Sequence, residues 1–205
     1  MASFGGGGGD LPYGSWPSPF TAKFITSSSV GLSNVKCDGD GGLWWQESRP
    51  QEGGRNVVVR RDAGAAGASE RGAVEVTPAD KNVRTRVHEY GGGAFCLGPG
   101  GAVVFSDFAT QRLHATEGGA TRVVTAGDPD GRYRYADYAV DPSGAFVVGV
   151  REDHGPAGDR KPSEVVNEVV KVALADGATT VLATGRDFYG APRLSPDGSR
   201  VAYVT

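Results

Sequence analysis

Asp141–Val150 reads D-P-S-G-A-F-V-V-G-V, and Ser195–Val204 reads S-P-D-G-S-R-V-A-Y-V. Each is a polar turn holding Pro and Gly, followed by an apolar stretch of strand-forming residues. Pro fixes its own φ and Gly accepts the positive φ of a tight turn, so together they end one strand and start another. A phrase that recurs in this way marks an architecture built from copies of one small unit. The second copy runs directly into Thr205, so the sequence predicts an incomplete array.

A second pair of phrases sizes the unit. Gly119–Gly127 reads G-A-T-R-V-V-T-A-G, and Gly177–Gly185 reads G-A-T-T-V-L-A-T-G. Their separation exceeds that from Gly101 to Gly144 by the length of a charged stretch around Glu152–Glu164. That stretch reads as an insertion into a surface loop, which leaves the unit intact on either side. In the clearest copy the expected strands are Tyr135–Val140, Ala145–Arg151, Val165–Leu174 and Thr179–Ala183. The Asp176–Gly177 turn joins the last two as a tight hairpin. The preceding copy gives Gly93–Leu97, Ala102–Phe108, Gln111–Thr116 and Thr121–Thr125. An earlier one gives Asn34–Cys37, Leu43–Glu47, Asn56–Arg61 and Ala73–Thr77, and the last holds only Ala191–Leu194 and Arg200–Val204.

Units of about 40–50 residues, each a four-stranded antiparallel meander, are the signature of β-propeller blades. The fold class expected is therefore all-β: an incomplete β-propeller of about three and a half blades, fewer than most closed propellers have. The blades are placed at 34–78, 93–127 and 135–185, with a half blade at 187–205. They follow a flexible glycine-rich tail (1–12) and an extended lead-in (13–33), in which Trp16, flanked by Pro17 and Pro19, is expected to be buried. An open array leaves blade edges unpaired, which predicts self-association through them.

Composition excludes several functions. The formal net charge is −3, with both signs mixed along the chain, so no basic face for nucleic acid is expected. The densest basic spot, Arg60–Arg61, reads as the solvated end of a strand. No secretory signal and no run of about 18 apolar residues is present, so no membrane span is expected. Cys37 and Cys96 form no C-x-x-C unit, and a reducing, cytoplasmic setting is the expectation.

Asn82–Phe95 reads N-V-R-T-R-V-H-E-Y-G-G-G-A-F. It resembles a motif in the propeller of the prolyl oligopeptidase family of serine peptidases, in the branch of dipeptidyl aminopeptidase and acylaminoacyl-peptidase-like proteins. Tyr13–Thr21, Ser106–Leu113 and Asp187–Thr205 resemble further stretches of the same proteins in the same order. The resemblance implies a propeller that gates and positions peptide substrate for a C-terminal α/β-hydrolase domain carrying the Ser, Asp and His. On this reading the chain is the N-terminal propeller portion of such a peptidase, inactive alone and without a cofactor. The alternative is a non-catalytic propeller-like scaffold that binds protein.

The residues themselves offer no catalytic centre. No G-x-S-x-G elbow occurs, and His88, His114 and His154 lie in separate stretches. No metal site is expected: Asp38-Gly39-Asp40 lacks the glutamate that closes a calcium loop and reads as a plain turn. Arg84, Arg86, His88 and Tyr90 share one parity, so an extended backbone would point them to one face. The candidate substrate-binding residues are Arg86, His88, Glu89 and Tyr90, with Glu89 suited to an α-amine and Arg86 to a carboxylate. Alternatively the stretch is a crossover between blades, with Glu89 paired to an Arg and Tyr90 in the core. Asn167 and Glu168 form a second, weaker candidate pair, with solvated strand-face residues as the default reading.

Overall fold

The strands follow the turn signals closely. The first sheet runs β1 (Gly31–Cys37), β2 (Leu43–Arg49), β3 (Arg55–Arg61) and β4 (Ala73–Glu75). The second runs β5 (Phe95–Leu97), β6 (Val103–Ser106), β7 (Leu113–Glu117) and β8 (Ala120–Val123). The third runs β9 (Tyr133–Val140), β10 (Phe146–Asp153), β11 (Val166–Ala173) and β12 (Thr179–Thr184). A hairpin of β13 (Gly190–Leu194) and β14 (Val201–Val204) ends the chain. Each strand pairs antiparallel with its neighbours in chain order. The all-β, partial-propeller architecture is therefore what the structure shows. The structure, a computed structural model, describes residues 12, 14–15, 18–26, 29–62, 72–129, 131–156 and 158–205. The expectations for Gly5–Gly9, Tyr13, Trp16 and Pro17 lie outside them.

The apolar core lies between sheets rather than within one. Trp44 and Val58 of the first sheet pack with Phe95, Val103 and Phe105 of the second. Cys96, Val104 and Leu113 of the second meet Tyr135, Tyr138, Val147 and Val170 of the third. Tyr189, leading into the last hairpin, packs on Ala136, Val150 and Val169. A small sheet has two faces to cover, and stacking successive sheets covers them in turn.

Three of the inner strands carry the same irregularity. Asn34 in β1, Asp137 in β9 and Ala191 in β13 have φ of 51°, 57° and 47°, each beside a register shift. Each lies four residues before the first residue of its turn phrase: Asp38, Asp141 and Ser195. In β9 the bulge docks the previous blade. The Asp137 carboxylate accepts the Gly93 N–H at 2.7 Å, and the Asp137 N–H donates to the Gly93 carbonyl at 2.8 Å. A Cβ on Gly93 would sit 2.7 Å from Asp137 Oδ1, so the close approach requires glycine there.

The lead-in departs from the extended expectation. Ala22–Thr26 form a short helix, with the Thr21 hydroxyl accepting the Phe24 N–H at 3.0 Å as a cap. The influence of Pro ends at Pro19, and a Thr cap suffices to start a helical turn. Asp38 does form a plain turn: its carboxylate accepts N–H groups from Asp40, Gly42 and the Trp44 indole. The Trp44 bond leads in holding that carboxyl below its ordinary value. Arg60 departs from a simple solvated strand end, because its guanidinium lies over the Trp44 ring at 5.1 Å.

Candidate functional site

Alternation holds along the Asn82 motif only as far as Val87. Val83, Thr85 and Val87 are buried while Arg84 and Arg86 are exposed. The backbone then turns over Val87–Tyr90, with His88 and Glu89 at φ of 56° and 63°. The shared parity of Arg86, His88 and Tyr90 is therefore broken, because a left-handed turn ends the period of two. The turn frees the His88 N–H to point at another blade.

Its acceptor is Glu152, near the end of β10. Glu152 Oε1 accepts the His88 N–H at 2.8 Å, and Glu152 Oε2 lies 2.9 Å from His154 Nε2. The His88 ring nitrogen Nε2 is 3.9 Å from the same carboxylate. Two of the three histidines that lie apart in sequence thus meet on one glutamate. The third, His114, stays apart, buried in β7 and stacked on Phe105 at 5.4 Å. Burial works to raise the Glu152 pKa, but the His154 and His88 hydrogen bonds outweigh it and hold the carboxyl below its ordinary value. The site therefore carries a buried negative charge, and both side chains within 4 Å of it with a nitrogen that could carry the counter-charge are histidines among the described residues.

The β10–β11 register places Asn167 directly opposite Glu152. Asn167 is 8% exposed, and its Oδ1 has no hydrogen-bond partner. His88 Nε2 is likewise buried without a hydrogen-bond partner. Both line a cleft of about 570 Å³, together with Glu152, His154, Glu89 and Phe188. The Phe188 ring meets His88 edge-on at 5.2 Å. An unpaired buried acceptor costs about 1–3 kcal/mol, which a ligand N–H donor would recover. The solvated reading of Asn167 and Glu168 is thus corrected: Asn167 is buried, and Glu168 pairs with Arg151 at 2.7 Å.

The other candidates separate. Glu89 stays on the surface, 68% exposed at the side chain, and pairs with Arg134 at 2.8 Å. Tyr90 is 81% exposed, so it is not a core residue. Arg86 turns away from the cleft to lie over Phe108 at 4.4 Å. Glu152 and His154 carry no site motif in the sequence, where Asn167 stands only as part of a weaker candidate pair with Glu168. The only signal for them is the two-residue alternation from Glu152 to His154, which needs the β10–β11 register to acquire meaning.

Neither His88 nor His154 hydrogen-bonds a serine hydroxyl among the described residues. No group of three His, Cys, Asp or Glu side chains among them has the geometry of a metal site. Cys37 and Cys96 are free thiols, and burial pushes the Cys96 pKa up to about 12. No helix among them is long and apolar enough to cross a membrane.

No family model matches the chain, and no curated protein does. Among solved structures, a puromycin-hydrolysing peptidase of Mycobacterium tuberculosis is 35% identical with a TM-score of 0.76, and the match covers 94% of this chain and 30% of that one. A puromycin hydrolase is 32% identical with a TM-score of 0.73, over the same 94% and 30%. The tricorn protease, 12% identical with a TM-score of 0.57 over 87% of this chain and 15% of that one, shares the fold alone. The chain thus spans about 30% of the length of its puromycin-hydrolysing relatives. It is homologous to the N-terminal propeller portion of these puromycin-hydrolysing peptidases, in agreement with the resemblance to the prolyl oligopeptidase family carried by Asn82–Phe95.

Proposed function

We propose that this chain is the substrate-gating portion of a serine-type aminopeptidase or acylaminoacyl peptidase, which positions short peptides for a hydrolase domain. The 35% identity to a puromycin-hydrolysing peptidase over 94% of the chain carries this reading. The cleft supplies a place for the substrate. Asn167 Oδ1 and the Glu152 carboxylate offer acceptors to ligand N–H groups, Phe188 supplies an apolar wall, and Glu89 stands at the rim. His88 shapes the cleft through its backbone bond to Glu152. The setting proposed is a reducing cytoplasm, where Cys37 and Cys96 remain thiols. Copies of the isolated chain are expected to associate through β1 and β14, whose outer edges are unpaired among the described residues.

The test is saturation-transfer NMR of the 205-residue chain with short peptides such as Gly-Phe-Gly, beside the Asn167→Leu variant. Saturable binding weakened about fivefold or more in the variant is expected, since a ligand would lose one buried hydrogen bond. Equal binding to both proteins, or none to either, would remove the cleft from the proposal. A parallel assay with aminoacyl p-nitroanilides is expected to show no turnover. Activity sensitive to serine reagents would contradict the assignment of catalysis to another domain.

A further inference from the structure

The cleft leaves two arginines of the Asn82 motif unused. Arg84 and Arg86 are both exposed, and their guanidinium carbons lie 4.8 Å and 4.4 Å from the centre of one ring, Phe108. Their backbones are anchored. The Arg84 N–H donates to the Ser106 carbonyl at 3.1 Å, and the Arg86 N–H donates to Gln111 Oε1 at 2.8 Å. Gln111 is buried, and its Nε2 donates to the Phe108 carbonyl at 2.8 Å. One amide side chain thus fixes the backbone beneath the ring and the backbone beneath Arg86.

Neither guanidinium makes an ion pair among the described residues, and two carboxylates close to them in sequence, Glu89 and Asp107, are engaged elsewhere. Glu89 is held by Arg134 at 2.8 Å. Asp107 is buried and accepts the Asn82 N–H at 3.2 Å and the Thr110 hydroxyl at 3.1 Å. Two like charges therefore stand against one ring without a counter-charge, in a chain whose net charge is −3. An aromatic face occupies one side of a guanidinium and leaves its N–H edge free, and that planar fork matches a carboxylate. The ring and the anchored backbone hold the forks in place before any ligand arrives, which lowers the ordering cost of binding.

We propose that Arg84, Arg86 and Phe108 form a clamp for the C-terminal carboxylate of a short peptide. The clamp lies at the same end of the sheets as the cleft, where second strands finish and third strands begin, with the Val87–Tyr90 turn between the two. It rests on the peptide-handling reading only for the molecule that carries the carboxylate. Inorganic phosphate shares the chemistry and is therefore one arm of the test.

The experiment follows the arginine Nε–Hε resonances of the 205-residue chain by NMR, assigned with Arg84→Lys and Arg86→Lys variants. The probes are N-acetyl-glycylglycine, its C-terminal amide and inorganic phosphate. The free acid is expected to shift both resonances saturably, more weakly as salt is raised, while the amide shifts neither. Arg86→Lys keeps the charge but loses the fork and should weaken binding about threefold, and Arg86→Ala about tenfold. Both positions are exposed, so an unchanged near-ultraviolet circular dichroism spectrum is expected to show the fold intact. No saturable shift, an equal response to the amide, or tighter binding of phosphate would overturn the proposal. The probes carry no free amine, and Asn167→Leu should leave acid binding within about twofold. Loss of the cleft reading alone would therefore leave the clamp standing.

Discussion

Strands β1 and β9 hold the same place in their sheets, each leading an antiparallel meander and each bent by a positive-φ residue at Asn34 or Asp137. Their surroundings differ. In β9, Tyr135 and Ala136 are buried at 0% and 1% exposure, between β5 of one neighbouring sheet and β13 of the next. In β1, Leu32 and Val35 are 67% and 63% exposed. An inner strand gains its stability from a blade on each side, so equal local geometry yields unequal energetics.

The sharpest way to break this comparison is to truncate one side chain in each strand. Tyr138 of β9 is buried, and its hydroxyl meets Ser106 Oγ at 2.5 Å across the sheet interface. Tyr138→Ala is expected to cost about 3–5 kcal/mol, as large aromatic truncations in cores do. Leu32→Ala in β1 should stay within about 0.5 kcal/mol. Urea unfolding of both variants checks this, and comparable losses would mean that β1 is covered in solution.

A smaller effect tests the junction between blades. Gly93→Ala should cost about 1–3 kcal/mol, because its Cβ would press on the Asp137 carboxylate at 2.7 Å. Gly39→Ala, in the turn after β1 with nothing within 4 Å, should cost far less by the same unfolding measurement.

Acidity sharpens the contrast at the site. The Glu152 carboxyl is held below its ordinary value in the folded chain. Its contribution is therefore complete above the unfolded pKa, near about 4.3, and is lost as pH falls through the lower folded value. Glu152→Gln should flatten the acid limb of stability in that window, measured as urea midpoints from pH 5 downward. An unchanged acid limb would mean that His154 and His88 do not hold the carboxylate in solution.

The smallest effect is expected at the rim. Glu89→Gln breaks an exposed pair with Arg134 and should change stability by no more than about 0.5 kcal/mol. A larger loss would mean that the Val87–Tyr90 turn depends on that pair.

Much of the fold is legible in the chain because turn chemistry is local. The Asp141–Gly144 phrase ends β9 where Asp141 accepts the Ser143 and Phe146 N–H groups, contacts available to any chain with that spacing. The site is less legible. Arg84 and Arg86 keep the alternation that sequence parity predicts, but His88 does not, because the turn at Val87–Tyr90 needs an acceptor 64 residues away at Glu152. Asn167 reads as solvated because nothing local shows that the insertion before it and the Phe188 segment after it enclose its side chain.

The sequence by itself determined the order and pairing of the strands, the repeat that stacks them and the likeness to a peptidase propeller. Period-two patterning and turn residues act between neighbours along the chain. The tertiary structure alone decided which inner strand is covered, where the bulges dock, and that Glu152, His154, His88 and Asn167 share one cleft. Those outcomes depend on contacts between sheets, whose partners lie too far apart in sequence for any local preference to select them.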